Sequence, residues 1–141
     1  MCSPRSAGWD EPDHVARWQE LGFGRQPDFN KAQVQHGLLR RELENAGAEV
    51  IDLPPSPDLS LDAAYAHDAC LATDFGLILM RPGKANRVAE APRHGQFAEE
   101  LGLPVAGEIS APGTTEAGDI VWLDAKMMLI RHGYRTNKAG I

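Results

Sequence analysis

The feature that most constrains the fold of this chain is an internal repeat. Two segments, 68–83 and 119–133, each begin with an aspartate, continue through a hairpin of apolar strands and end in Arg-x-Gly. Their first residues, Asp68 and Asp119, are 51 positions apart. A period near 50 that combines strands with one helix is typical of propeller-like or pseudo-symmetric arrays. The repeat therefore predicts an α/β array.

The number of copies predicts that the array continues outside this chain. Two copies are visible in the 141 residues, whereas about three or more units of this kind are needed to bury their apolar faces. We therefore expect residues 1–141 to be part of a longer array. The alternative is a complete small α/β domain in which the likeness of the two hairpins is accidental.

The first part of the chain predicts helices and one strand. Asp28 is a typical N-cap for a helix that ends near Asn45, and Glu49–Leu53 reads as a strand that Pro54 stops. A shorter helix is expected around 13–21. Residues spaced by three and four predict one buried stripe on the long helix: Phe29, Ala32, His36, Leu39, Leu43 and Ala46.

Two features of this part admit two readings each. His36 lies within the predicted stripe, which favours a packed core or border histidine over a catalytic one. The loop Leu21-Gly-Phe-Gly24 carries apolar residues between glycines, as a mobile lid or a plain connection would.

The second part predicts a regular order of elements. The hairpins turn at Asp74–Gly76 and at Asp124–Lys126. Between them we expect a helix over 87–101, broken at Pro92, and a strand over 104–109. A further helix is predicted to begin at Thr136.

Composition narrows the range of partners and the compartment. The net charge is −6 without a basic tract, which argues against nucleic acid, and no apolar run reaches the length of a membrane helix. Cys2 and Cys70 make neither a disulfide framework nor a zinc site, and Met1 is not followed by a signal-peptide pattern. We expect a cytoplasmic, reduced protein without a membrane partner.

The repeat also suggests a binding chemistry. If the copies surround an axis, Asp68 faces Glu116 and Asp119, and converging carboxylates suit a guanidinium group. Arg87 and Arg135 follow the hairpins and are placed to hold a carboxylate, so the ligand resembles arginine. Asp119 as a simple turn cap, or a metal held by the three acids, are alternatives; the metal is disfavoured because hard cations usually take more oxygen ligands.

At these residues the sequence resembles the guanidine-modifying superfamily of amidinotransferases, arginine deiminases and dimethylarginine dimethylaminohydrolases. It is most similar there to bacterial dimethylarginine dimethylaminohydrolase-like proteins. The matching pieces run in order over nearly the whole chain: Pro27-Asp-Phe, Gln35-His36, Leu53-Pro-Pro55, His67-Asp68, Arg81-Pro-Gly83 with Arg87, Pro112-Gly-Thr-x-Glu116-Ala-Gly-Asp119, and Arg135-Thr-Asn137.

The resemblance implies a fold, a reaction and an extent. The fold is the α/β pentein, or α/β propeller, of ββαβ-type modules, with residues 1–141 as about half of one catalytic domain, truncated at the C-terminus and also at the N-terminus. The reaction is hydrolysis of an arginine or methylarginine guanidinium to citrulline through a cysteine thiolate and a covalent intermediate. No cofactor and no metal are implied, and a homodimer of the complete protein is compatible with the family.

The resemblance also implies a role for each site residue. Asp68 grips the guanidinium, while Glu116 orients the catalytic histidine or binds the substrate nitrogens. Asp119 supports that geometry. Arg87 and Arg135 hold the substrate carboxylate. The entrance is lined by Asp62, His67 and the loop at Leu21.

Some departures from the family limit what this chain is expected to do. His67 stands where family members often have an acid, which leaves the guanidine substrate open. The family's histidine and nucleophilic cysteine lie beyond the matched motifs, and Cys70 reads as a small buried residue. We expect no hydrolysis by these 141 residues alone. An amidinotransferase and a non-catalytic pentein binding module are the alternatives.

Overall fold

A computed structural model describes all residues from 1 to 141. It contains three α-helices, five β-strands and several single turns of 3-10 helix. Contacts within the chain divide it into two compact units, Met1–Tyr65 and Ala66–Ile141. None of its helices has the length and apolarity that crossing a membrane would require.

The first unit is helical. Its short helix α1 spans Pro12–Val15, and its long helix α2 spans Phe29–Asn45. The predicted N-cap is confirmed, because the Asp28 side chain accepts a hydrogen bond from the backbone N–H of Lys31. Beyond the helix, Gly47 has a φ of +90°, a conformation that L side chains rarely adopt.

The predicted buried stripe on α2 is wrong. No residue of α2 is buried, and Leu39 is 53% exposed, because no second layer covers this face of the helix. His36 lies at the border, with Nε2 3.8 Å from Asp52 Oδ1. The buried apolar residues of the first unit lie outside α2, among them Leu53 in a loop and Leu61 at the start of a 3-10 turn.

Two further elements of the first unit differ from prediction. The strand predicted at 49–53 is absent, since no other strand pairs with its backbone. The Met1 amine donates to Ile51 O, Leu53 N–H donates to Met1 O, and Arg40 Nη2 donates to Val50 O. The helix predicted over 13–21 ends at Val15, and separate turns continue to Gly22.

The second unit begins with the first predicted hairpin, which is confirmed. Strands β1, Cys70–Thr73, and β2, Gly76–Leu79, pair antiparallel. Helix α3, Glu90–Glu100, then returns the chain to strand β3, Val105–Glu108, which pairs parallel with β2. A parallel pair requires such a crossover.

The second hairpin is also confirmed. Strands β4, Ile120–Asp124, and β5, Met127–Ile130, form a separate two-stranded antiparallel sheet. A 3-10 turn that contains the aspartate of the repeat precedes each hairpin, Ala66–Ala69 before the first and Ala117–Asp119 before the second. The repeat seen in the sequence is therefore also a repeat of local structure.

The two hairpins share a small apolar core. Leu71, Met80 and Ala117 are buried there, and side chains from both hairpins pack around them, among them Ile78 and Met128. Burial of these side chains holds the 3-10 turns that precede the two hairpins close to each other.

Two helix predictions in this unit need correction. Helix α3 begins at Glu90 and not at Arg87, because Ala85–Arg87 is a separate 3-10 turn. Pro92 lies in the first turn of α3, where its missing N–H is not needed, so it causes no break. The helix predicted from Thr136 is a single 3-10 turn, Lys138–Gly140.

Candidate active site

Asp68 is the residue around which the polar groups of the second unit gather. Its Oδ1 accepts the backbone N–H of Gly118 at 3.1 Å, and its Oδ2 accepts Arg87 Nη1 at 2.7 Å. The 3-10 turn before the first hairpin therefore touches the turn before the second. The repeat predicted that these turns converge, and the contact confirms it.

Arg87 is held between two carboxylates. Its Nε and Nη2 donate to the two oxygens of Glu90 at 2.8 and 2.7 Å, which makes a bidentate pair. Its Nη1 donates to Asp68 Oδ2. The Arg87 side chain is only 4% exposed and that of Glu90 1%. Burial by itself would lower the pKa of Arg87, but Glu90 and Asp68 outweigh it and raise the pKa above the ordinary value.

Gly118 allows the two turns to approach. A Cβ on this residue would lie 2.5 Å from Asp68 Oδ1, closer than side-chain carbons come to oxygen. The glycine of the Glu-Ala-Gly-Asp motif is therefore needed for space, and it presents its N–H to the Asp68 carboxylate.

Glu116 is bound from two directions. Its Oε1 accepts the backbone N–H of Gly83 at 3.1 Å and Arg135 Nη1 at 2.9 Å. The carboxylate side chain is 10% exposed and that of Arg135 22%. Burial opposes the charge of Arg135, but hydrogen bonds to Tyr134 and Glu116 raise its pKa.

Thr136 links Glu116 to Asp119. The Glu116 backbone N–H donates to Thr136 Oγ1 at 3.2 Å, and that hydroxyl donates to Asp119 Oδ2 at 2.7 Å. Thr136 is fully buried, so its hydroxyl has both partners within the protein. The link fixes the backbone at Glu116 and the side chain of Asp119 together.

The structure places the predicted site residues in two groups. Asp68, Arg87, Glu116, Asp119 and Arg135 form one network in the second unit. His67 lies in the same 3-10 turn as Asp68 and is exposed. The remaining two belong to the first unit and are buried there: Asp62 and Leu21.

Three further residues that make contacts in this site were not predicted from the sequence. Glu90 had a signal, since it stands three positions after Arg87, the spacing of neighbours on a turn of helix. Thr136 was quoted within Arg135-Thr-Asn137, but nothing in that motif indicated that its hydroxyl links Glu116 to Asp119. Gly118 was quoted as part of the motif, but its contact with Asp68 was not foreseen.

Cys70 and His94 form a second pair of reactive residue types. Cys70 Sγ lies 3.7 Å from His94 Nδ1. Burial raises the pKa of the Cys70 thiol, and burial first of all lowers the pKa of His94 to about 4. At neutral pH both groups are therefore uncharged, unlike the thiolate–imidazolium pair of an activated cysteine.

The arrangement is suited to a cation. Glu116 uses one carboxylate oxygen, Oε1, for its hydrogen bonds, and Asp119 likewise uses Oδ2, so each retains an oxygen for a donor from a ligand. No three side chains of the histidine, cysteine, aspartate and glutamate types are grouped as metal ligands.

Comparisons with known proteins agree with this chemistry. No family model matches the chain. Over 114 residues it is 32% identical to N(G),N(G)-dimethylarginine dimethylaminohydrolase of Pseudomonas aeruginosa, a match that covers 81% of this chain and 44% of the relative.

Solved structures give the same result for the fold. A cysteine-to-serine mutant of the Pseudomonas aeruginosa enzyme, complexed with citrulline, aligns with a TM-score of 0.70 at 33% identity, over 82% of this chain and 44% of that one. A dimethylarginine dimethylaminohydrolase adduct with 4-chloro-2-hydroxymethylpyridine aligns with a TM-score of 0.71 at 27% identity, over 99% of this chain and 49% of that one.

The chain thus spans somewhat less than half the length of the relatives that it matches. The predicted pentein-type α/β fold is confirmed by these alignments. In sequence and in fold, the chain is similar to the dimethylarginine dimethylaminohydrolases of the guanidine-modifying superfamily.

Proposed function

We propose that this chain carries the substrate-binding acids and arginines of a hydrolase that acts on the C–N bonds of linear amidines. The substrate is the guanidinium of arginine or a methylated arginine, and the product is citrulline. The observation that carries the proposal is the contact between Asp68 and Gly118, which brings the acids of both repeat copies to one place. Likeness to the dimethylarginine enzyme supports the substrate class.

We assign the three acids different roles in binding the substrate cation. Asp68 is held by Arg87 and Gly118 on different oxygens, so its orientation is fixed before a ligand arrives. Each oxygen can still accept from a guanidinium, since a carboxylate has about four acceptor positions. Glu116 offers Oε2 to the substrate nitrogens or to the catalytic histidine, and Asp119 supports it through Thr136.

The two arginines have different surroundings, and we assign them different parts. Arg135 is 22% exposed and is the better placed to hold the substrate carboxylate. Arg87 is nearly buried between Asp68 and Glu90, which favours positioning of Asp68 over direct contact with substrate. His67, which is exposed in the same 3-10 turn as Asp68, keeps its proposed part at the entrance. Asp62 and Leu21 are buried within the first unit, and we assign them no part in the site of the second.

The bond-breaking step needs a nucleophile that we place outside these 141 residues. A cysteine thiolate attacks the guanidinium carbon, and the amine departs, protonated by a histidine. Water then attacks the same carbon, the C–S bond breaks, and citrulline and the cysteine thiolate are released. Cys2 is 1% exposed, and the thiol of Cys70 has a raised pKa through burial. Neither is suited to the attack.

Calorimetric titration of the chain with L-arginine and with asymmetric dimethylarginine tests the binding part. Citrulline, which lacks the cationic charge, is the control ligand. We expect Glu116→Gln to weaken binding of both cations by roughly tenfold or more, about 1.4 kcal/mol, because a charge-assisted hydrogen bond is lost. Glu108→Gln, at an exposed position of β3, is the matched control. Equal affinities of the wild type and Glu116→Gln would refute the assignment.

An assay of citrulline release tests the catalytic part. The isolated chain is expected to release none. Release that is abolished by Cys70→Ser would show that the nucleophile lies within the chain and would overturn the proposal. In the complete enzyme, assays with arginine, methylated arginines and an added amine acceptor separate a hydrolase from an amidinotransferase.

A further inference from the structure

Cys70 and His94 lie where helix α3 packs on the first hairpin. Cys70 is the first residue of β1 and stands opposite Leu79 of β2. Gly95 of α3 is so near this point that a Cβ on it would lie 2.8 Å from Leu79 Cδ1. The close approach brings His94, the neighbour of Gly95, to the thiol, with Sγ 3.7 Å from Nδ1. The pair joins strand to helix, and the proposed reaction does not use it.

The distance between the two atoms fits joint coordination of one tetrahedral metal ion. Zinc lies about 2.3 Å from a thiolate sulfur and about 2.0–2.1 Å from an imidazole nitrogen. At a tetrahedral angle, bonds of these lengths place the sulfur and the nitrogen about 3.6 Å apart. The observed separation of Sγ from Nδ1 is 3.7 Å. A linear, two-coordinate ion with the same bond lengths would require about 4.3 Å, so the spacing favours the tetrahedral geometry.

A hydrogen bond between thiol and imidazole does not by itself account for a histidine at this place. Such a bond involves Nδ1, whereas Nε2 of His94 is buried and has no hydrogen-bond partner. A buried polar atom without a partner costs folding free energy, and a thiol is only a weak donor. An apolar residue at position 94 would avoid this cost. The histidine is therefore explained better as a ligand than as a stabilising contact.

The chemistry of the pair selects the class of ion. Thiolate and imidazole suit zinc-type ions, whereas Ca²⁺ and Mg²⁺ prefer oxygen ligands. The imidazole is ready to coordinate, because burial lowers the pKa of His94 to about 4 and leaves the ring neutral at neutral pH. Burial raises the pKa of the Cys70 thiol, so the ion has to displace its proton. Both residues are half-buried, which leaves a path for the ion and for water.

We propose that Cys70 Sγ and His94 Nδ1 together bind one zinc-type divalent ion, with water in the two remaining tetrahedral positions. On binding, the S–H bond breaks, its proton passes to solvent and the bond from sulfur to the metal forms, without oxidation or reduction. Two protein ligands are fewer than the four of a structural zinc site, so the ion binds reversibly. Bound there, it links β1 to α3. The inference does not rest on the proposed function.

The test titrates the whole chain, kept reduced and at neutral pH, with Co²⁺ as a coloured probe for zinc. We expect a thiolate-to-cobalt charge-transfer band that saturates at one ion per chain and disappears when Zn²⁺ displaces the cobalt. Calorimetric titration with Zn²⁺ in buffers of different ionisation enthalpy should show about one proton released per ion. That proton comes from the thiol, because the imidazole is already neutral.

Variants of the two ligands assign the site. Cys70→Ser should abolish the charge-transfer band. His94→Gln should weaken Co²⁺ binding at least about tenfold, because loss of a ligand costs no less than loss of a group that orients one. Two matched controls should leave the titration unchanged: Cys2→Ala, which removes the other thiol, and His132→Gln, which removes an exposed imidazole.

A measurement on the unmodified chain keeps the proposal falsifiable if a variant fails to fold, which circular dichroism can check. Zn²⁺ should slow alkylation of Cys70, followed by mass spectrometry of its peptide, and Mg²⁺ should not. An alkylation rate that Zn²⁺ does not change overturns the proposal. So does a charge-transfer band that persists in Cys70→Ser, or Co²⁺ binding without such a band, which would assign the ion to carboxylates. None of these outcomes bears on guanidinium binding by Glu116, so the proposed function stands or falls separately.

Discussion

Asp68 Oδ1 accepts the backbone N–H of Gly118 at 3.1 Å, and this hydrogen bond joins the two copies of the repeat. The other oxygen of the same carboxylate, Oδ2, accepts a hydrogen bond from Arg87 Nη1. Asp68 is thereby fixed by one group from its own copy and one from the next. The position of the acids in the candidate site consequently depends on the packing of the two hairpins.

This contact predicts that Gly118 does not tolerate a side chain. In Gly118→Ala the new Cβ would meet Asp68 Oδ1 at 2.5 Å, so the carboxylate must move although Arg87 holds it. We expect the free energy of unfolding to fall by about 1–3 kcal/mol, the usual range for overpacking. Urea denaturation measures the change.

Gly37→Ala is the matched control for this substitution. Gly37 lies inside α2, and an added Cβ would meet nothing within 4 Å. Alanine should stabilise the helix there by about 0.5–1 kcal/mol. In the background of Asp68→Ala, Gly118→Ala should cost clearly less than alone. Equal costs in both backgrounds would rule out the contact as the cause.

The buried Arg87–Glu90 pair predicts a second, larger effect. Arg87→Met takes both N–H donors of Arg87 away from the Glu90 carboxylate, which is 1% exposed. Breaking a buried pair by removal of one partner costs about 3–5 kcal/mol of unfolding free energy. The double change Arg87→Met with Glu90→Gln should recover part of the loss, because residue 90 then carries no charge that must be buried without a partner.

An exposed arginine provides the reference for Arg87. Arg17 pairs with Glu20 at 2.9 Å, but both side chains are more than 60% exposed. Arg17→Met should therefore change the unfolding free energy by less than about 1 kcal/mol. If Arg17→Met and Arg87→Met lower the free energy of unfolding by similar amounts, burial is not what makes the Arg87–Glu90 pair important for stability.

Thr136 predicts the effect of removing a single hydroxyl. Thr136→Val keeps the shape but leaves the Glu116 N–H without its acceptor and Asp119 Oδ2 without its donor. We expect a loss of about 1–3 kcal/mol in unfolding free energy. Thr114→Val is the control, because the Thr114 hydroxyl makes no hydrogen bond. If both variants are equally stable, the hydroxyl link has no structural weight.

The sequence predicted those elements whose signals are local. Both hairpins were found because a turn motif separates two apolar runs, and α2 because Asp28 caps its first turn. The strand at 49–53 and the buried stripe of α2 failed for a different reason. Both depend on a partner that covers them, and a partner cannot be read from the segment itself.

The candidate site was predictable to a similar degree. Asp68, Glu116 and Asp119 followed from the repeat and the family resemblance, and the structure brings them together. The surroundings of Arg87 were not foreseen, because the resemblance points to a substrate carboxylate while the side chain contacts Asp68 and Glu90. Burial of a charge is a tertiary property, and its neutralising partners become visible only in the structure.

His94 predicts how the stability of the chain depends on pH. Burial lowers its folded pKa to about 4 from an ordinary 6.5, so between these values the unfolded state binds the proton and the folded state does not. The contribution of His94 is therefore fully present above pH 6.5 and is lost as the pH falls towards 4. The loss should approach about 3 kcal/mol of unfolding free energy. His94→Gln removes this titration, so urea denaturation of the variant should show a flatter profile between pH 6.5 and 5, and profiles of equal slope would contradict the role of His94.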